Sequence, residues 1–348
     1  MKTSSEKRPK VEILSLQWHL TDRCNWRCRH CYAEGYEGEE MSLPELKRVF
    51  LEYIDLLKKT GKKGRLNLTG GEPFIREDFL EFLEFISESR EYLTRCSILT
   101  NGSLLTPAIL KRIKEKTCVT GIQISIEGPE EINDAIRGKG SFEKILAAVS
   151  LVKESGIPTH LAATISRFNH KRIFELLDLL LIYDIPIILR RFVPMGSGKK
   201  EKESLLSPTE LREVYLKASK LSQKYKLKFS KRMIFMTNIC SSGLKYIEWT
   251  KGDFRICGIK RKEALTIMPN GDVYPCRLLP IKLGNTKENS LEEIYNQPYE
   301  DFVAKNKYDA VCNKCNLKNK CGGGAACIAY AIAGNPFARD PQCWKKGI

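Results

Sequence analysis

Through the N-terminal half of the chain the apolar positions switch repeatedly between two rhythms. In the run 13–20, Leu14, Leu16 and Trp18 alternate with Ser15, Gln17 and His19, the period of two that turns one face of a strand toward a core. Further β-rich runs fall at 65–69, 96–100, 120–126, 159–165 and 187–192. Between them lie segments with apolar residues three and four apart and acidic or capping starts, at 42–59, 76–89, 106–114, 141–155 and 170–182, which predict amphipathic helices. Strand then helix, about six times over, requires parallel strands with helical crossovers. The loops after those strands then gather on one face. The periodicity permits either a partial barrel or a doubly wound sheet. Another helix is predicted over 207–224, opened by Ser207-Pro208, and a domain boundary is placed within 195–235. The glycines of 194–200 lack the spacing of a phosphate loop, so this stretch reads as a linker.

A length of 348 residues suggests two domains. No uninterrupted apolar run reaches the roughly 18 residues of a membrane span; the richest, 173–189, is broken by Glu175, Asp178 and Asp184. The first ten residues are polar and basic and lack the apolar segment of an export signal. The expectation is a soluble cytoplasmic protein without a membrane partner. There, thirteen cysteines point to metal ligands rather than disulfides. The net charge of +16 favours anionic partners. No nucleic-acid motif accompanies it, so most of it reads as solvated surface, with an anionic substrate as the remaining possibility.

The candidate chemistry is concentrated after the first strand. Cys24, Cys28 and Cys31 are spaced x3 then x2, and three thiols from one loop can converge on one centre while leaving a position open. On spacing alone, a zinc loop completed by His30 or His19 is the alternative. Thr69-Gly70-Gly71-Glu72-Pro73 follows the second strand, Asn101-Gly102 the third, and Ser125 with Arg137 the fourth. Singly, these read as tight turns and surface polar residues.

Cys-x3-Cys-x2-Cys followed by Tyr32 resembles the cluster loop of the radical S-adenosylmethionine (SAM) enzymes. The resemblance implies an α/β fold built on a partial (β/α)6 TIM-type barrel. It also implies a four-iron four-sulfur (4Fe-4S) cluster on Cys24, Cys28 and Cys31, with SAM on its open iron. Tyr32 would lie near the adenine, and Gly70, Gly71 and Glu72 would contact the SAM amino group. Ser125 and Arg137 become candidates for its carboxylate and Asn101 for its ribose. SAM would be cleaved reductively by an electron from a donor such as ferredoxin or flavodoxin, and the deoxyadenosyl radical would take a hydrogen atom from substrate.

A second cysteine system follows: Cys257, Cys276, Cys312, Cys315, Cys321, Cys327 and Cys343. It resembles the SPASM extension of radical SAM maturases, a small cysteine-rich iron–sulfur domain with two auxiliary clusters, although five residues separate Cys321 from Cys327 where the usual pattern has three. Gly322-Gly323-Gly324 can absorb the difference. By resemblance, Cys312, Cys315, Cys321 and Cys343 bind one auxiliary cluster and Cys257, Cys276 and Cys327 the other. Its fourth ligand stays open, because Glu263 stands where some members have cysteine, and Cys240 is a possible substitute. From residues alone, Cys312-x2-Cys315 also fits a structural zinc module. Asn270-Gly271-Asp272 predicts a hairpin that presents Cys276. Cys96 and Cys118 fall in apolar runs and read as core residues.

The expected organisation is a basic tail over 1–12, a barrel over 13–195, a linker and helix over 196–235, and an auxiliary-cluster domain over 236–348. With 23 residues before Cys24, no leader-binding module is expected in front of the barrel. The overall likeness is to the cofactor-modifying proteins of tungsten-containing aldehyde ferredoxin oxidoreductase. Alternatives are a maturase of a ribosomally made peptide or protein, and a non-enzymatic metal-binding adaptor.

Overall fold

In the computed structural model, residues 11–225, 234–236, 263–297, 309–316, 321 and 323–344 are described. Strands β1 (Ile13–His19), β2 (Lys63–Thr69), β3 (Leu93–Thr100), β4 (Gly121–Ser125), β5 (Thr159–Ile165) and β6 (Ile187–Arg191) are parallel and neighbour one another in chain order. A doubly wound sheet reverses its strand order at a switch point; this one does not, and the partial barrel is the result. Helices α1 (Leu43–Thr60), α2 (Phe79–Ser87), α3 (Pro107–Lys116), α4 (Glu130–Arg137), α5 (Ser141–Ser155) and α6 (Leu177–Tyr183) form the crossovers, and α7 (Pro208–Tyr225) follows β6.

The alternation read in β1 recurs around the barrel. Leu16, Trp18, Leu68, Ile98, Ile124 and Leu189 are buried in one core against the helices, where the Trp18 and Phe82 rings meet edge-on at 5.4 Å. On the opposite face Gln17, Asn67, Thr164 and Arg190 are only half-buried, so the lumen is polar and partly open. Helix α1 starts at a capping box of Ser42 and Glu45 and stops at Gly61, whose φ of 64° is the left-handed cap that glycine suits.

Two helical expectations are adjusted. Helix α2 begins at Phe79, because the Arg76 side chain is buried and donates to the Leu20 carbonyl (3.0 Å) and Glu40 (3.3 Å). The 170–182 segment divides into a 3-10 stretch, Ile173–Leu176, and α6. Helix α4 went unread.

The expected boundary is crossed by the sheet itself. Strand β7 (Ile234–Met236) pairs in parallel with β6, and β8 (Ala264–Ile267) pairs in parallel with the free edge of β1. Strands β9 (Asp272–Tyr274) and β10 (Gly284–Asn285) continue from β8 as antiparallel neighbours. The turn between β8 and β9 is the expected one, with Gly271 at φ 90°. Helices α8 (Leu291–Asn296), α9 (Ala310–Lys314) and α10 (Ala326–Ala333) follow. The C-terminal segment is fastened to the barrel by the buried ion pair of Arg191 and Asp340, 2.7 Å apart. Gln342 adds a bond to the Leu206 carbonyl at 2.8 Å. Among the described residues no helix is long and apolar enough to cross a membrane.

Candidate metal centre

The loop after β1 carries Cys24, Cys28 and Cys31, all half-buried, at the C-terminal ends of the strands. Burial pushes the Cys24 thiol up and the Cys28 thiol to about 11, and Cys31 lies within electrostatic reach of both. Against this, the Arg137 guanidinium favours a thiolate at Cys28 and stands 3.8 Å from its Sγ. The amides of Trp26 and Ala33 donate to Cys24 Sγ and Cys31 Sγ, each at 3.4 Å.

Among the described residues no three Cys, His, Asp or Glu side chains stand close enough to hold a single metal ion. The two histidines that could complete a zinc loop are engaged elsewhere. His30 pairs with Glu127 at 3.3 Å, and His19 shares a 3.0 Å hydrogen bond with Gln17. Three neighbouring thiols without a close fourth donor suit a cluster, which bridges the gaps between its ligands with its own iron and sulfide.

The loop is held from several sides. Gly71 and Glu72 donate their amides to the carbonyls of Thr21 (2.7 Å) and Arg23 (2.8 Å). A Cβ on Gly70 would lie 2.5 Å from the Thr21 oxygen, and one on Gly71 2.2 Å from the Arg23 oxygen. The glycines therefore let the two loops touch backbone to backbone. The Glu72 carboxylate is buried beside the cysteine loop, within electrostatic reach of Cys24. It is 0% exposed and accepts from the Thr100 hydroxyl and Asn101 amide at 2.8 Å and the Phe74 amide at 3.3 Å. Burial pushes its pKa up to about 7. The Asn101 side chain also faces the cysteine loop, donating to Asn25 at 2.8 Å. Ser125 ends β4 half-buried on the lumen face.

Arg137 makes a buried ion pair with Glu127. Burial would raise the Glu127 carboxyl, but His30 and Arg137 outweigh it and hold it below the usual range. Its second oxygen accepts the Thr164 amide at 2.8 Å. Glu127 and His30 thus belong to the site although sequence reasoning gave neither this role. The one signal was the presence of Glu127 in the same strand-end segment as Ser125.

The stretch read as a linker is a clamp. Ser197 and Gly198 donate their amides to the carbonyls of Ala33 and Cys31, both at 2.9 Å. Gly196 has φ 56°, and a Cβ there would lie 2.2 Å from the Tyr32 carbonyl carbon. The Tyr32 ring is covered by the Arg277 guanidinium, 4.7 Å from its centroid, and meets His19 edge-on at 5.7 Å.

In the second cysteine system, burial pushes Cys312 up to about 11, with further upward contributions from Asp309, Cys343 and Cys321. These three thiols therefore share one neighbourhood. Cys315 follows at the end of α9, its amide 3.2 Å from the Cys312 carbonyl. Gly324, at φ 100°, leaves room for Asp340, so a turn takes up the longer Cys321 to Cys327 spacing. Cys327 is buried on α10, and Cys276 packs near Ala326 of the same helix. Cys257 and Cys240 lie outside the described residues. Cys96 is buried in the core and Cys118 is packed against it.

Residues 18–180 match the radical SAM superfamily profile, and residues 257–316 match SPASM, an iron–sulfur cluster-binding domain. An AdoMet-dependent heme synthase of Nitratidesulfovibrio vulgaris is 27% identical, with 98% of this chain and 94% of the relative covered. An Fe-coproporphyrin III synthase of Methanosarcina barkeri is 29% identical, with 98% and 89% covered. Streptococcus suis SuiB, in a crystal structure with its precursor peptide SuiA, superimposes with a TM-score of 0.75 at 17% identity over 96% of this chain and 76% of that one. At that identity the likeness shows the fold.

Proposed function

From a radical SAM enzyme with a SPASM domain, binding a 4Fe-4S cluster with SAM and auxiliary iron–sulfur clusters, we propose that the reaction is hydrogen abstraction from a small cofactor precursor of the iron–porphyrin class. The observation that carries the radical chemistry is the gathering of Cys24, Cys28 and Cys31 at the barrel mouth, with the Arg137 guanidinium 3.8 Å from Cys28. The substrate class is supported by two relatives that align across nearly the whole chain and are named for heme and iron-coproporphyrin synthesis. None of the relatives reported above is named for a tungsten enzyme, so the expected tungsten-enzyme role gives way to this one.

Cys24, Cys28 and Cys31 would hold the SAM cluster, which when bound supplies the electron that cleaves SAM to methionine and the 5′-deoxyadenosyl radical. Arg137, oriented by Glu127, stabilises the Cys28 thiolate. Gly70 and Gly71 present backbone at the cysteine loop, while the Glu72 and Asn101 side chains hold that backbone in place. Ser125, open to the lumen, is the candidate for the SAM carboxylate. Tyr32, under Arg277, borders the adenine side. Cys312, Cys315, Cys321 and Cys343 would hold one auxiliary cluster, and Cys276, Cys327 and Cys257 the other. A reducing cytoplasmic setting and a ferredoxin or flavodoxin donor suit these cysteine ligands. A peptide substrate is the second reading, favoured by the likeness to the peptide-bound SuiB fold.

Anaerobic reconstitution followed by iron and 5′-deoxyadenosine assays tests the reading. About twelve irons per chain are expected. Replacing Cys24, Cys28 and Cys31 with alanine is expected to remove about four of them together with all deoxyadenosine. Undiminished deoxyadenosine in that variant would overturn the assignment.

A further inference from the structure

The lumen of the barrel carries an unbalanced charge. None of the inward positions of β1 to β6 is aspartate or glutamate, whereas Arg65, Arg95, His160 and Arg190 all stand there. The Arg95 Nε donates to Ser97 at 2.8 Å, and an Arg190 Nη donates to Gln123 at 2.6 Å. Arg277 at the mouth donates to the Tyr32 carbonyl at 3.3 Å. Among the described residues, Arg95, Arg190 and Arg277 form no ion pair. The Nε atoms of Arg190 and Arg277 are buried and make no hydrogen bond.

The cations are linked in space. His160 lies within electrostatic reach of both Arg95 and Arg190. Tyr32, in turn, lies within reach of Arg190 and Arg277. The acidic groups within reach include Glu127, felt by Arg190, and Asp22 and Glu34, which both feel Arg277. Glu127 is already committed to Arg137 and His30. Enclosing a guanidinium without a counter-charge is unfavourable by several kcal/mol. Arg190 and Arg277 are half-buried in this way, while Arg95 stands exposed nearer the start of β3 on the same inward face; all three have donors to spare and match an anion that arrives with the substrate. The fork of a guanidinium suits a carboxylate.

We propose that the barrel lumen is a polycarboxylate site, in which Arg190 with Gln123, and Arg95 with Ser97, take separate carboxylates of one small molecule lying beneath the cysteine loop. Arg277 is the third cation, at the mouth. The assignment rests on the reading of this chain as acting on a cofactor precursor. It adds the anionic character of that precursor and the residues that receive it.

The test is equilibrium binding of iron-coproporphyrin III, a tetracarboxylate, and of its tetramethyl ester to the reconstituted enzyme under anaerobic conditions. Arg190→Met and Arg95→Gln are measured alongside. Each lost charge-assisted contact is expected to weaken binding of the acid about tenfold or more. The ester should bind the wild-type protein correspondingly weakly, a comparison independent of how any variant folds. Equal binding of acid and ester, binding of neither, or tighter binding of an acidic peptide at the same site would overturn the proposal. If the wild-type protein still forms deoxyadenosine in those cases, the radical SAM reading survives the failure. Absence of both iron and deoxyadenosine would remove that reading as well.

Discussion

Glu72 couples the cysteine loop to proton concentration. Burial raises its carboxyl to about 7, so between about 4.5 and 7 the folded protein keeps a proton that the unfolded chain has lost. More protons bound in the native state means that stability falls as pH rises through this window and levels off above it. The span corresponds to roughly 3 kcal/mol. Glu72→Gln is expected to remove most of that slope in denaturant unfolding measured at pH 5 and pH 8; an unchanged slope would show that another group carries it. The identity of this residue was legible in the sequence, but its burial was not. Its partners Thr100 and Asn101 lie on the next strand's end, and two separated loops had to meet before the carboxylate could be enclosed. Arg137 shows the same limit, because Glu127, Cys28 and His30 come together only through the barrel.

Among the elements, the contact between the Gly70-Gly71 turn and the cysteine loop is the most exacting. Gly71→Ala sets a methyl group 2.2 Å from the Arg23 oxygen, and backbone on both sides prevents it from swinging away. The expected outcome is a folded barrel that retains far-UV helicity but loses about four irons on reconstitution, measured by iron content and circular dichroism. Full iron content in the variant would mean that the two loops can separate without harm. The barrel strands were legible as short apolar, β-rich runs between helical patterns, with the period of two clearest in β1 and β2. The long helices α1, α5 and α7 were legible because apolar spacing and caps agree. Helix α4 has eight residues and is fixed from outside: Asp134 accepts the Gly140 and Phe142 amides and the Ser141 hydroxyl. The 196–204 clamp looked like a linker because its bonds run from its amides to distant carbonyls, with no side-chain pattern to betray them.

At the scale of the molecule, the Arg191–Asp340 pair joins the last segment to β6. Both side chains are under 5% exposed, and Asp340 also accepts the Ala325 and Gln342 amides. Asp340→Ala strands a buried guanidinium, which costs about 3–5 kcal/mol. Chemical denaturation should show this loss, with auxiliary iron released before that of the SAM cluster; a loss under about 1 kcal/mol would mean that the pair is dispensable. The choice between a barrel and a doubly wound sheet was not legible from periodicity, since both use the same local pattern and differ only in strand order. The net charge of +16 likewise hid its distribution, because inward and outward arginines look the same in composition. The clamps on the cysteine loop also bear on the order in which the protein can be completed. Cys24, Cys28 and Cys31 are synthesised before the groups that hold their loop, which come from residues 70–72, 101, 136–137, 197–198 and 277. The nascent loop therefore lacks its last clamp until residue 277 has been added, and iron delivered before then meets thiols that the rest of the chain has not yet arranged.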